Sequence, residues 1–524
     1  MGLSLSNRQL FLFGLVVIIA GAVFGGVSLT YPFGRDQAIY AYAGKLLLEG
    51  KMNYLHVFDL KPPGIHFLFA FIQFVSGESM LNARIFDIAW QVITGFVLFL
   101  ISIRLTKQKY LSLLSSLIYL FLYYRQDYWH TLQADGSLNL LFALVILLLL
   151  SSYEQHSFVK IFFAGVLFAL ALIFKYTIIS FVPLLFLVFL LDRKSLFSIR
   201  VKNAVIFTFG LMITGGAMVL FYYFSGALSA FWDIQFTQTP LYTKIAYETE
   251  TKGYIASQLV KLFTYSVYSP LIVLSVFAFL FVSFRKKFEF PNLLLFIWIF
   301  SSLFSLIIQW KFYYYHFLVI IPALSAGAVF ALSKIKDILK NRNILYMFFV
   351  AAFSAGLFVF AVKPYLSGYP LLISYLSGNE DLESAYIKNG FTADSVFMIG
   401  KTLKAAEIVK NETNIDDGIF VWGFDPLIYY LSGRKCVSRF IYNFPLLWKG
   451  ENSSFKREFL NEIERKNPKL IIVASNDPLY FISGYDEDSK KLIKRFPEFD
   501  SFLSSKYEFL DIAGDYEVYE LKKW

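Results

Sequence analysis

The chain has 524 residues, 57% of them in the hydrophobic set and only 16% charged, with a formal net charge of +10. Apolar runs close to 20 residues, roughly the length that crosses a bilayer, recur along it and exclude a soluble globular protein. On a membrane protein, excess Lys and Arg belongs to loops facing anionic lipid and does not call for nucleic acid, and the single cysteine, Cys436, excludes a disulfide within the chain.

In chain order, the N-terminal stretch MGLSLSNRQLFLFG resembles a signal anchor with no small-residue cleavage pattern behind it, so the first span is expected to be retained. Apolar runs follow at 9–30, 80–103, 110–124, 136–151, 158–174, 176–191, 204–224, 264–284, 292–309, 314–332 and 344–362, which predicts about eleven transmembrane helices. The pair around Lys175 is short and also reads as one span.

Short connectors carry Arg104/Lys107/Lys109, Arg193/Lys194/Arg200/Lys202, Arg285/Lys286/Lys287 and Lys334/Lys336/Lys340/Arg342. The segments 31–79 and 225–263 are longer and poorer in cations. The positive-inside rule then puts the N-terminus in the cytoplasm and everything after about residue 363 outside. The expected organisation is a transmembrane domain over 1–362 and a small extracytoplasmic α/β domain over 363–524. In that tail SVFMIGKTLKAAEIVKNET has helical periodicity, GIFVWGF and PKLIIVA are short strands, and YEFLDIAGDYEVYEL is a hairpin turning at Gly514-Asp515.

The first outer segment opens on LTYPFGRDQAIYAYAGKLLLEG. After Asp36, residues Ile39, Tyr40, Ala43, Leu46 and Leu47 recur at helical spacing, which predicts a helix lying on the membrane surface with Asp36 at its start. Two readings stand for Asp36: an N-cap that satisfies free backbone N–H groups, or a carboxylate poised to accept a proton. Next, Pro62-Pro63-Gly64 forces an extended turn and stiffens the backbone at Lys61, which is otherwise a snorkelling lysine. Asp36, Lys61, Arg84, Asp87, Arg125, Asp127, His130, Asp135, Lys175, Lys311 and His316 all fall at or near outer span ends. Charge in hydrocarbon costs at least ~2.5–3.5 kcal/mol per residue, so such groups persist where they pair, face water or act.

The acid after the first span, the helix D-x-x-x-Y-x-x-x-A, the KPPG turn and the R-x-x-D opening the second span resemble the GT-C membrane glycosyltransferases. The nearest likeness is to the bacterial branch of glycosyltransferase family 39, related to dolichyl-phosphate-mannose protein mannosyltransferases and the lipid A aminoarabinose transferase. The matching pieces are Asp36, Tyr40, Gly50, Lys61-Pro62-Pro63, Arg84, QADGSLNLL around Asp135, ALALIFKYTIISFVPLL around Lys175, and WKFYYYHFLVIIPAL with Tyr315, His316 and Pro322. VWGFDPLIYYLSGRKCVSRF resembles the outer domain of bacterial members. Gln37 stands where many relatives have Glu, and Ala38-Ile39 where the aminoarabinose group has an Arg.

The resemblance implies a GT-C fold and transfer of a sugar from a polyprenyl-monophosphate carrier to a glycan, lipid or protein acceptor on the outer face of a bacterial inner membrane. It makes Asp36 the general base. Asp135 orients the acceptor or, with Asp36, is a candidate ligand for a divalent ion, the metal requirement being open. Lys61, Lys175 and Lys311 are the candidates for the departing lipid phosphate, joined by Arg84, Tyr315 and His316. His316 within FYYYHF also reads as part of an interfacial aromatic belt. The alternatives are a transporter or flippase for lipid-linked saccharide, for which paired midplane breaks and inverted symmetry are not evident, and a polymerase or ligase of such saccharides. The long 225–263 segment is expected to be an irregular connector that closes over the ligands.

Overall fold

The computed structural model describes residues 6–192, 195–249, 256–260, 262, 266–285, 288–309, 311–339, 342–389, 391–393, 397–448, 453–478 and 480–523. Arg193, Lys194, Lys286, Lys287 and Lys340 of the charge pattern, and part of the 225–263 segment, lie outside them.

Each of the eleven apolar runs corresponds to a helix. In order, the helices are α1 (Asn7–Gly26), α2 (Arg35–Leu48), α3 (Gly64–Ser76), α4 (Met80–Thr106), α5 (Lys109–Tyr124), α6 (Ala134–Gln155), α7 (Phe158–Leu172), α8 (Phe181–Leu191) and α9 (Phe197–Phe224). Further apolar helices follow at Ser269–Phe284, Phe290–Ile307, Ile321–Ile338 and Asn343–Ala361. Among the described residues seven helical segments are long and apolar enough to cross a membrane, and the others are shorter. This is a multi-pass membrane protein. The break at Lys175 is real: its backbone is extended, between the end of α7 and a 3-10 turn, Tyr176–Ser180, that leads into α8.

The chain divides into two compact units. The first comprises Met1–Leu29, Arg84–Phe221 and Lys252–Ile373; the second comprises Thr30–Ala83, Tyr222–Thr251 and Ser374–Trp524. Within the first, helices approach closely where small residues face each other, as membrane packing without a hydrophobic drive requires. A Cβ on Gly165 of α7 would meet the Phe207 carbonyl oxygen at 2.1 Å, and one on Gly210 of α9 would meet that of Phe162 at 2.2 Å. Any side chain at either position would push the two backbones apart.

The second unit holds a five-stranded sheet. Its strands, numbered after the short antiparallel pair β1 (Thr392–Ala393) and β2 (Phe397–Met398), are β3 (Gly418–Trp422), β4 (Lys435–Cys436), β5 (Leu470–Ala474), β6 (Tyr507–Ala513) and β7 (Tyr516–Leu521). The order is β4-β3-β5-β7-β6; β3 pairs parallel with β4 and β5, and β7 antiparallel with β5 and β6. Central β5 is buried along its whole length, as its unbroken apolar run requires of a strand covered on both faces. The expected strands and hairpin are present, with Gly514 at φ +62° in the turn, a left-handed conformation that glycine adopts without strain.

The helix expected after Asp36 is present as α2, and its Gln37 is as buried as Ile39, because α2 packs on α3 and on the helix Leu427–Ser432. One expectation is corrected: the described part of 225–263 is not irregular. It forms Leu228–Trp232, a π-helical turn Asp233–Gln238 and Thr239–Thr249.

Candidate functional site

In the second unit, Gly34 and not Asp36 is the N-cap of α2; its backbone N–H donates to Gln37 Oε1 at 3.0 Å. Asp36 sits inside the first turn, where the helix dipole favours a carboxylate. Its neighbour Arg35 turns inward, its guanidinium 5.3 Å from the ring of Phe397 and 5.4 Å from that of Phe424. This buried anchor fixes the start of the helix. Asp36 remains half-buried, with Oδ2 4.0 Å from Lys61 Nζ.

Lys61 is braced from its backbone. Tyr54 donates its hydroxyl to the Lys61 carbonyl at 2.8 Å, and Gln235 Nε2 donates to the same oxygen at 3.2 Å. Thr239 Oγ1 lies between two carbonyls, 2.9 Å from that of Ile234 and 3.3 Å from that of Leu60. Tyr54 takes up φ +68°, a conformation uncommon for a bulky residue, held by a donated bond from Arg439 to its carbonyl at 3.0 Å. The Pro-Pro turn, which cannot offer its own N–H groups, is thus secured through carbonyls.

Beneath the turn runs a polar chain the sequence did not single out. The Tyr222 hydroxyl donates to Asn53 Oδ1 at 2.9 Å, Asn53 Nδ2 lies 3.0 Å from His66 Nδ1, and His66 Nε2 lies 2.7 Å from Asp59 Oδ2. The polarity makes His66 accept at Nδ1 and donate at Nε2. The D-x-K-P-P-x-x-H spacing that flanks Lys61 was the available signal. Tyr442, also buried, has its phenol pushed well above its ordinary range by burial first and then by the negative charges of Asp59 and Asp36.

In the first unit, Asp135 occupies the first turn of α6 and is 2.5 Å from Lys175 Nζ, with both side chains largely buried. A Cβ on the next residue, Gly136, would meet Tyr123 Cε2 at 2.7 Å, so the start of α6 is seated tightly. Arg84 is fully buried and donates to Thr131 Oγ1 and to the Tyr128 carbonyl, each at 2.9 Å, pinning the connector between α5 and α6. Asp87 accepts from Gln91 Nε2 and the Tyr123 hydroxyl, each at 2.9 Å. Lys311, Tyr315 and His316 are buried together in the 311–316 stretch: the Tyr315 and His316 rings lie 4.6 Å apart, and Lys311 Nζ is 5.7 Å from the Tyr313 ring. His130, paired to Asp127 at 2.6 Å, sets its ring 6.2 Å from Tyr315.

The structure therefore brings Asp36 to Lys61, Asp135 to Lys175, and Tyr315 to His316, while Arg84 is engaged with its connector. Among the described residues no group of three or more His, Cys, Asp or Glu could hold a metal ion. Within its own unit each candidate carboxylate, Asp36 and Asp135, lies beside a lysine.

Residues 60–221 match the family described as dolichyl-phosphate-mannose-protein mannosyltransferase. Among solved structures, the chain is similar to ArnT from Cupriavidus metallidurans bound to undecaprenyl phosphate, at TM-score 0.60 and 12% identity over 98% of each chain. It is also matched to the oligosaccharyltransferase AglB from Archaeoglobus fulgidus in complex with an inhibitory peptide and a dolichol-phosphate, at TM-score 0.46 and 13% identity over 88% of this chain and 69% of that one. No curated protein is a significant match by sequence.

Proposed function

We propose that this chain, similar to the protein mannosyltransferases and to ArnT, is a GT-C superfamily glycosyltransferase that moves a sugar from a polyprenyl-monophosphate carrier to an acceptor with inversion at the anomeric carbon. The reading keeps the N-terminus in the cytoplasm and residues 363–524 outside the cell membrane, so that transfer takes place on the outer face. The acceptor is a glycan, lipid or protein hydroxyl.

The observation that carries this reading is Asp36 beside Lys61 in one unit, on a helix start and a stiff turn that are each anchored from behind. The acceptor oxygen attacks the anomeric carbon from the face opposite the phosphate. Its proton passes to the Asp36 carboxylate, and the bond from that carbon to the phosphate oxygen breaks. The leaving lipid phosphate gains negative charge, which a pre-placed ammonium stabilises without reorganisation. Lys61 has that role here. In the first unit, taken by itself, Lys175, Lys311, Tyr315 and His316 are the proposed contacts for the donor lipid, with Arg84 bracing the connector before α6 and Asp135 paired to Lys175.

The test is transfer of radiolabel from a polyprenyl-monophosphate sugar to envelope acceptors by the purified protein in nanodiscs. Label that moves to an acceptor with inverted configuration supports the reading. Label that stays on the lipid, or crosses the bilayer still attached to it, refutes it in favour of transport.

A further inference from the structure

A cleft of about 620 Å³ opens directly after α9, lined by Tyr223, Ser229, Trp232, Asp233 and Thr237 among others. None of these is part of the site described above. Trp232 and Tyr223 are 59% and 62% exposed, so two large aromatic rings stand open beside a carboxylate and two hydroxyls. Gln238 Nε2 donates to Asp233 Oδ1 at 3.1 Å and sets the carboxylate's orientation.

We propose that this cleft is a saccharide subsite, and that its ligand is the glycan portion of the acceptor; only the word acceptor rests on the transferase reading above. Aromatic rings offer apolar faces that match the C–H faces of a pyranose, and Asp233, Ser229 and Thr237 offer partners to its hydroxyls. A hydrocarbon tail in the cleft would strip water from a carboxylate and two hydroxyls and return no hydrogen bond. A phosphate headgroup would meet the Asp233 charge as a like charge. A neutral polyol meets neither objection.

The placement also couples the cleft to the transfer site within the same unit. Residues 233–238 form a π-helical turn, a widened geometry frequent at functional sites. Asp233 and Thr237 line the cleft, while Gln235 and Thr239 of the same stretch hold the carbonyls of Lys61 and Leu60. A glycan that orders one side of this turn orders the backbone that carries Lys61.

The experiment uses the full chain in nanodiscs on an array of bacterial oligosaccharides, with undecaprenyl phosphate retention measured in parallel by native mass spectrometry. Trp232→Ala and Asp233→Asn are compared with the parent after thermal unfolding has shown all three folded. The expected result is glycan retention by the parent, at least tenfold weaker in Trp232→Ala and several-fold weaker in Asp233→Asn, with undecaprenyl phosphate retained equally by all three. The assignment is overturned if the parent retains no glycan, if Trp232→Ala retains it as the parent does, or if the substitution weakens lipid retention instead. If glycan binding holds while no variant or parent transfers sugar, the subsite stands and the transferase reading falls.

Discussion

His66 Nε2 lies 2.7 Å from Asp59 Oδ2, and both side chains are buried directly under the turn that presents Lys61. Removing the imidazole leaves a buried carboxylate without that partner, a loss of about 1–3 kcal/mol. His66→Ala should lower the unfolding temperature and slow sugar transfer together. His66→Gln, whose Nε2 can still donate toward Asp59, should restore most of both. Thermal unfolding in detergent beside a transfer assay checks this; full activity in His66→Ala would show that the chain does not position Lys61.

Lys175 and Asp135 should separate stability from donor use. Lys175→Met strands a buried carboxylate and should cost about 3–5 kcal/mol of stability. Adding Asp135→Asn removes the stranded charge and should recover most of that loss. If Lys175 contacts the lipid phosphate, the double variant will be stable yet slow, with a raised KM for the polyprenyl-phosphate donor. A double variant with parental kinetics would make the pair purely structural.

The two bonds from the π-helical stretch give a third prediction. Each neutral hydrogen bond is worth about 1 kcal/mol, or roughly fivefold in an equilibrium. Gln235→Ala with Thr239→Ala should therefore cost up to about 2 kcal/mol of stability and lower kcat by about an order of magnitude. An unchanged kcat would mean the Lys61 turn holds its place without these tethers.

What could be read in advance follows from range. Spans announce themselves by local hydropathy. Asp36 and Lys61 stand 25 positions apart on elements whose turn chemistry is local, so their pairing was within reach of Pro62-Pro63-Gly64 alone. The burial of Gln37 and the polar face of α2 depends on Leu427–Ser432, nearly 400 residues away, and no periodicity within α2 encodes it. Gln235 and Thr239 reach the Lys61 turn across more than 170 residues. Arg84 could be recognised as an interfacial cation, but its partners at Thr131 and Tyr128 come from a connector whose path depends on how α4, α5 and α6 pack.

Two buried acids of the C-terminal sheet region set a pH dependence. Burial raises Asp425 above its ordinary value against the opposing effects of Arg35, Tyr516 and Thr402, and burial likewise raises Asp477 against Ser489. A raised folded-state value means their contribution to stability is complete below the unfolded carboxylate range, about pH 3.9, and is lost as pH rises through the folded values. Unfolding monitored from about pH 4 to 7 should show a falling contribution that Asp425→Asn with Asp477→Asn flattens. A slope identical in the double variant would assign the dependence to other groups.

The most direct measurement is the single-turnover rate of sugar transfer by Asp36→Asn, with donor binding measured in parallel. The substitution preserves shape and removes the base, so the rate should fall by about 10²–10⁴-fold while undecaprenyl phosphate is bound as before. A parental rate in Asp36→Asn would contradict the account.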